Sequence, residues 1–171
     1  RTLGTGHLPV ISDARIASDD DLTAGCPVHL LRDRRSALRA RLSHDGLDAL
    51  LVTHPANVFY LTSFRGSAGM LVLTSDDACL VTDARYATVA QGLAAAEAGV
   101  AGLTFVQVES SYEETVCDVL KDLGVSRVGI ETAHMTLARH DWLERGLAGS
   151  EMAGQAIFKN IEDTTRKDSG K

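Results

Sequence analysis

Twice in this 171-residue chain an apolar-faced helical segment stops at a glycine and passes directly into a short apolar strand. The first unit runs through Leu31, Leu38 and Leu42, stops at Gly46 and continues as Leu47 to Val52. The second runs through Val116, Val119, Leu120 and Leu123, stops at Gly124 and continues as Val125 to Ile130. A helix commonly closes on a left-handed residue, which glycine adopts without steric cost, so both glycines are expected at positive φ. Strands alternating with helices predict a layered α/β domain.

Between the two units lies a different pattern. Met70 to Thr74 and Ala78 to Thr82 are apolar runs joined by Ser75-Asp76-Asp77, which is turn chemistry. They read as an antiparallel hairpin, so the sheet is expected to be mixed. His54-Pro55 should break the first strand, and Asn57 is expected to cap a short helix through Phe59, Tyr60 and Leu61. Asp83 reads as the N-cap of a helix with an apolar face of Tyr86, Val89, Ala90 and Leu93. Thr104 to Val108 suits a further strand. Ser110 with Glu113, or Ser111 with Glu114, forms a capping box for the helix before Gly124. Met135 to Leu147 reads as a last helix. Residues 1–28 are expected to be a partly ordered leader arm, 29–150 the domain, and 151–171 a polar tail or truncated linker.

The formal charge of −6 argues against nucleic acid, because phosphate binding needs clustered Lys and Arg. The arginines between 32 and 41 are expected on the solvated face of a helix. Three cysteines without a C-x-x-C pair suit reduced thiols and a cytoplasmic setting. No apolar run is long enough for a membrane span. The chain begins with Arg, so its natural start is expected upstream, and no signal peptide is read in what is present.

Sites for chemistry are sparse. His134 and His140 are six apart, which puts them on different faces of a helix. There is no H-E-x-x-H. Ser67 misses the G-x-S-x-G register, and no His and acid pair is identifiable to activate it. Asp83 and Arg85 could be an acid and an anion clamp, but capping already accounts for Asp83. Tyr60, Phe64 and Arg65 on a glycine-flanked loop suit contact with a ligand or neighbouring chain. The plainer alternative is a core aromatic beside a solvated arginine.

In order, Asn57, Tyr60, Leu61, Phe64, Gly66, Ser67, Gly69, Thr82, Asp83, Arg85 and Tyr86 resemble the N-terminal domain of the creatinase/prolidase/Xaa-Pro aminopeptidase family. The resemblance covers roughly residues 32 to 147. It implies a three-layer α/β/α domain with a mixed, ribonuclease H-like sheet. In that family this domain is not the catalytic one. It implies no catalytic residue and no metal ligand in this chain, with a divalent metal pair held by an absent catalytic domain. The domain would dock on that catalytic domain, support a homo-oligomer and shape the active-site entrance. Phe64, Arg65, Gly66 and Ser67 would face the cleft or a partner. Residues 150 to 171 depart from the family by lacking its usual linker helix. The competing readings are a stand-alone peptide- or protein-binding module and, more weakly, a small hydrolase using Asp83, His134 or Ser67.

Overall fold

The computed structural model describes residues 26–96, 102–147 and 157–160. Expectations for the leader before residue 26, and for the tail beyond residue 160, lie outside the described residues. The elements are α1 (Val28–Asp45), β1 (Ala49–Val52), α2 (Pro55–Thr62), β2 (Met70–Thr74), β3 (Ala78–Thr82), a 3-10 turn (Ala84–Tyr86), α3 (Ala87–Ala96), β4 (Leu103–Gln107), α4 (Tyr112–Asp122), β5 (Arg127–Ile130), α5 (Leu137–Leu147) and β6 (Ile157–Asn160).

The strands form one mixed sheet in the order β4-β3-β2-β1-β5-β6. β2 runs antiparallel to both neighbours, and the β1–β5, β3–β4 and β5–β6 pairs are parallel. Side chains alternate between the faces of a strand. Ala49, Leu51, Met70, Val72, Cys79 and Val81 accordingly pack on one face against Val116 and Leu120 of α4 and Leu143 and Leu147 of α5. Leu50, Val52, Leu71, Leu73, Ala78 and Leu80 pack on the other against Leu42 of α1, Val58 and Leu61 of α2 and Ala90 of α3. This is the three-layer arrangement with a mixed sheet. Each fully buried leucine among these residues contributes roughly 1.5–3 kcal/mol from burial alone.

Both helix stops have the expected geometry. Gly46 has φ 64° and Gly124 φ 66°. Leu47 N donates to the Leu42 carbonyl and Gly46 N to Ser43; Val125 N donates to Leu120 and Gly124 N to Lys121. Each is a Schellman closure, completed by burial of the apolar pairs Leu42/Leu47 and Leu120/Val125. A Cβ on Gly124 would meet nothing within 4 Å, so only the backbone opposes a substitution. Gly124→Ala is expected to lower stability by about 1 kcal/mol in denaturant unfolding. An unchanged midpoint would contradict the role of this stop.

Several expectations need correction. Asn57 does not cap α2. Pro55 occupies the first helical position, where its missing N–H costs nothing, and His54 is the cap residue without a side-chain bond. The arginines of α1 are not simply a solvated face. Arg35 is fully buried and donates to the Leu61 carbonyl at 2.9 Å. Arg34 donates to the Tyr60 carbonyl, and Arg39 to the carbonyls of Thr74 and Asp77. These guanidinia clamp α1 onto the last turn of α2, where carbonyls lack helical partners, and onto the β2–β3 turn. At the end of α1, Asp45 has a side chain only 4% exposed and is paired with Arg41. Val89 is 53% exposed, so the face of α3 turns on Ala90, with Tyr86 and Leu93 packed beside it. The sheet also continues beyond residue 150, since β6 pairs with β5 through Ile157–Asn160. A four-residue edge strand needs little apolar pattern, which is why the polar stretch around it read as tail.

Capping of α4 follows the second register. Ser111 Oγ accepts from Glu114 N at 3.1 Å, while the Glu114 carboxylate is taken by Ser110 Oγ.

Candidate functional site

Because β2 alone is reversed, β1, β3, β4, β5 and β6 all end at the edge where β2 begins. That edge gathers α2, the loop 63–69, the turn at Asp83 and the segment 131–136. In open α/β sheets ligands sit outside the carboxyl ends of strands, at the point where the strand order reverses. Here the chain runs outward from β1 through β2, β3 and β4, then returns to place β5 on the other side of β1. The reversal therefore falls between β1 and β5.

The carboxylate of Glu131, immediately after β5 and 6% exposed, fills that crevice. Its Oε2 accepts from Thr53 N at 2.7 Å and His54 N at 2.9 Å, and Oε1 accepts from Asn57 Nδ2. The N-terminus of α2 would attract an anion through its unpaired N–H groups and dipole. The chain supplies that anion itself. Above it the rings of His54 and His134 stack at 3.6 Å with an interplanar angle of 7°. Sequence reasoning missed Glu131. The available signal was an acid directly after an apolar strand at the ligand-bearing edge.

The loop 63–69 is held tightly. Ser63 has φ 61°, the one positive φ outside glycine among the described residues. The Phe64 ring is 2% exposed and meets Tyr86 edge-on, with centroids 5.5 Å apart. Phe64 is thus a core aromatic, a correction to its placement among cleft- or partner-facing residues. Gly66 and Gly69 lie against that ring, and a Cβ on them would approach it to 2.2 Å and 2.7 Å. These glycines are required so that the loop can close over Phe64. Ser67 Oγ is 2.8 Å from Tyr86 OH, an arrangement that supplies no base. Arg65 is exposed at the loop, its guanidinium 4.9 Å from the Phe59 ring centroid.

At the neighbouring turn, Asp83 accepts from Arg85 N at 3.0 Å, from Arg85 Nε and Nη2 as a fork, and from Tyr112 OH at 2.8 Å. Arg85 and Tyr112 hold the Asp83 carboxyl well below the usual carboxylate range. Its folded pKa thus lies below the unfolded value of about 3.9. The resulting stabilisation is fully present above that value and lost as pH falls through the folded one. Asp83→Asn is expected to flatten the acid limb of stability against pH, measured by thermal unfolding between neutral pH and pH 2; an unaltered acid limb would remove Asp83 from this role.

A catalytic metal pair needs several carboxylates and a histidine converging on both ions. Among the described residues, His140, Asp141 and Glu144 on α5 are the one group whose ligand atoms lie within 4.8 Å of one another. Asp141 and Glu144 have side chains 63% and 57% exposed. Three groups on one outward helix do not fit such a pair. His134 lies apart from them, against His54.

The sequence profile of the creatinase/prolidase N-terminal domain matches residues 34–161. The chain belongs to this family. It is 34% identical over 99 residues to the uncharacterized peptidase YqhT of Bacillus subtilis, a match covering 58% of this chain and 26% of that protein. It is 30% identical over 114 residues to a candidate Xaa-Pro aminopeptidase of Mycoplasma genitalium, covering 67% of this chain and 30% of that protein. Among solved structures, the N-terminal domain of the cytoplasmic peptidase PepQ from Mycobacterium tuberculosis superposes with a TM-score of 0.65 and 30% identity. That superposition covers 79% of this chain and 97% of the PepQ domain. The creatinase/prolidase N-terminal domain described here thus spans about a quarter to a third of the length of the curated relatives it matches. No helix among the described residues is long and apolar enough to cross a membrane.

Proposed function

We propose that this chain is the non-catalytic N-terminal domain of a cytoplasmic, metal-dependent Xaa-Pro aminopeptidase or prolidase-like enzyme. In this reading it docks on a catalytic domain, supports oligomerisation and shapes the active-site entrance. The observation that carries the proposal is the family match over residues 34–161, within relatives that extend far beyond the matched part. The divalent metal pair belongs to the catalytic domain, where a metal-activated water would attack a peptide bond involving proline.

Two experiments test this. The reading frame beyond Lys171 is expected to encode a metal-binding peptidase domain. A stop codon there would favour the stand-alone binding module. Second, residues 26–160 can replace the N-terminal domain of Mycobacterium tuberculosis PepQ. The fusion is expected to keep peptidase activity that the PepQ catalytic portion loses alone; a fusion no more active than that portion would count against the proposal.

Arg65, with Gly66 and Ser67 as the frame that presents it, is the cleft- or partner-facing residue of this reading. A guanidinium there could pair with a substrate carboxylate or a partner's acidic group. Arg65→Ala should leave the stability of the isolated domain within about 0.5 kcal/mol, as for a surface site. In the assembled enzyme it should raise KM or weaken subunit association. A loss of several kcal/mol in the isolated domain would instead make Arg65 a structural residue.

A further inference from the structure

One groove of the molecule carries two charges of opposite sign that do not meet. It lies between α1 and α2, has a volume of about 480 Å³, and is lined by the apolar side chains of Leu38, Leu50, Val52 and Leu61. Glu131 and Arg34 line it as well. Glu131 sits at the start of α2, bonded to Thr53 N, His54 N and Asn57 Nδ2. Arg34 sits at the last turn of α2, where it donates to the Tyr60 carbonyl at 2.8 Å and lies 4.0 Å from the Tyr60 ring centroid. Arg41, the remaining charged residue of the lining, is paired with Asp45.

Neither Glu131 nor Arg34 has a counter-ion among the described residues. A carboxylate offers about four acceptor positions. Glu131 uses three of them, all on neutral donors. The start of α2 offsets only about half an elementary charge. A carbonyl and a ring orient the Arg34 guanidinium and leave its charge unmatched. A buried carboxylate and a guanidinium on one apolar cavity suit a ligand that brings an ammonium to the first and a carboxylate to the second.

The spacing of the two charges sets the length of that ligand. From His54 to Tyr60 the rise along α2 is about 9 Å, so the groups bonded at its two ends lie on the order of 10 Å apart. A free amino acid carries both charges on one carbon and cannot meet both. Two extended residues span about 7 Å, and a hydrogen bond of about 2.9 Å at each end brings both groups within reach. We propose that the groove binds a free dipeptide with apolar side chains, its ammonium at Glu131 and its carboxylate at Arg34. Successive side chains of an extended chain point opposite ways, so one lies on Leu38, Leu50, Val52 and Leu61 and the other faces the mouth of the groove. The site belongs to this chain alone and does not depend on a catalytic portion.

The probe is Leu-Leu, titrated calorimetrically into the 171-residue chain. It should bind one to one. N-acetyl-Leu-Leu, which lacks the ammonium, and Leu-Leu amide, which lacks the carboxylate, should each bind at least about tenfold more weakly, the size of one charge-assisted contact. Gly-Gly keeps both charges without apolar side chains and should also bind at least about tenfold more weakly. Two variants locate the ends of the ligand. Arg34→Gln should bind Leu-Leu and its amide equally while still discriminating against the acetyl form. Glu131→Gln, which keeps an acceptor for the backbone donors, should do the reverse. A merely structural role of either residue would weaken all ligands alike and overturn the proposal. Absence of Leu-Leu binding at millimolar concentration, or binding indifferent to blocking either terminus, would overturn it as well. Sedimentation showing a dimer that Ala37→Lys, on the exposed wall of the groove, dissolves would assign the groove to a second copy instead.

Discussion

Replacing Glu131 by alanine is expected to cost the domain about 3 kcal/mol, because it strands two backbone N–H groups and an amide that a charged acceptor had satisfied. At this size that lowers the unfolding midpoint by roughly 10 °C. The carboxylate joins the ends of β1 and β5 and the start of α2, so its loss loosens three elements together. Glu131→Gln should recover most of the stability. The glutamine carbonyl can still accept from Thr53 and His54, and the Asn57 amide can turn its oxygen toward the new NH2. Acetate should stabilise the alanine variant and leave the parent unchanged, since binding to the folded form alone raises stability by mass action. Thermal scans with and without acetate read all three outcomes. A loss below about 0.5 kcal/mol, ordinary for a surface site, would show that Glu131 does not hold this edge.

The second large effect is expected at Arg35. Arg35→Ala removes a fully buried side chain and the donor to the Leu61 carbonyl. The cavity and the unpaired carbonyl together should cost about 4 kcal/mol. Arg35→Met fills the space of the stem without the donor and should recover about half of that loss. Denaturant unfolding measures both. An alanine variant as stable as the parent would mean that α1 is held to α2 by its apolar residues alone.

The two predictions concern residues that sequence reading treated differently. The sequence groups Arg35 with its neighbours on a charged face and gives Glu131 no local mark. Neither identity signals burial, because arginine and glutamate are rarely buried unless paired. Arg35 has its acceptor 26 residues away, and Glu131 its donors 74 to 78 residues away. Pairings at such separation leave no periodicity and no local motif. The same holds for Phe64. Glycines flanking an aromatic suggested an exposed recognition loop, whereas they are there because any Cβ would strike the buried ring.

Local chemistry was legible where it acts within a few residues. The glycine stops at 46 and 124, the β2–β3 hairpin and the caps at Asp83 and Ser111 each complete their hydrogen bonds within one turn of chain. Apolar runs without alternation marked strands covered on both faces, and the short hairpin made a mixed sheet unavoidable. Sequence alone therefore determined the elements from α1 to α5, their order and the layered class, but not β6. Only the tertiary structure decided that β5 pairs with β1, that the strand order reverses beside α2, and that an internal carboxylate fills the resulting crevice. The physical reason is range. Backbone closure and capping are satisfied by neighbours in sequence, whereas a buried charge is satisfied by whichever donors the completed sheet brings to it.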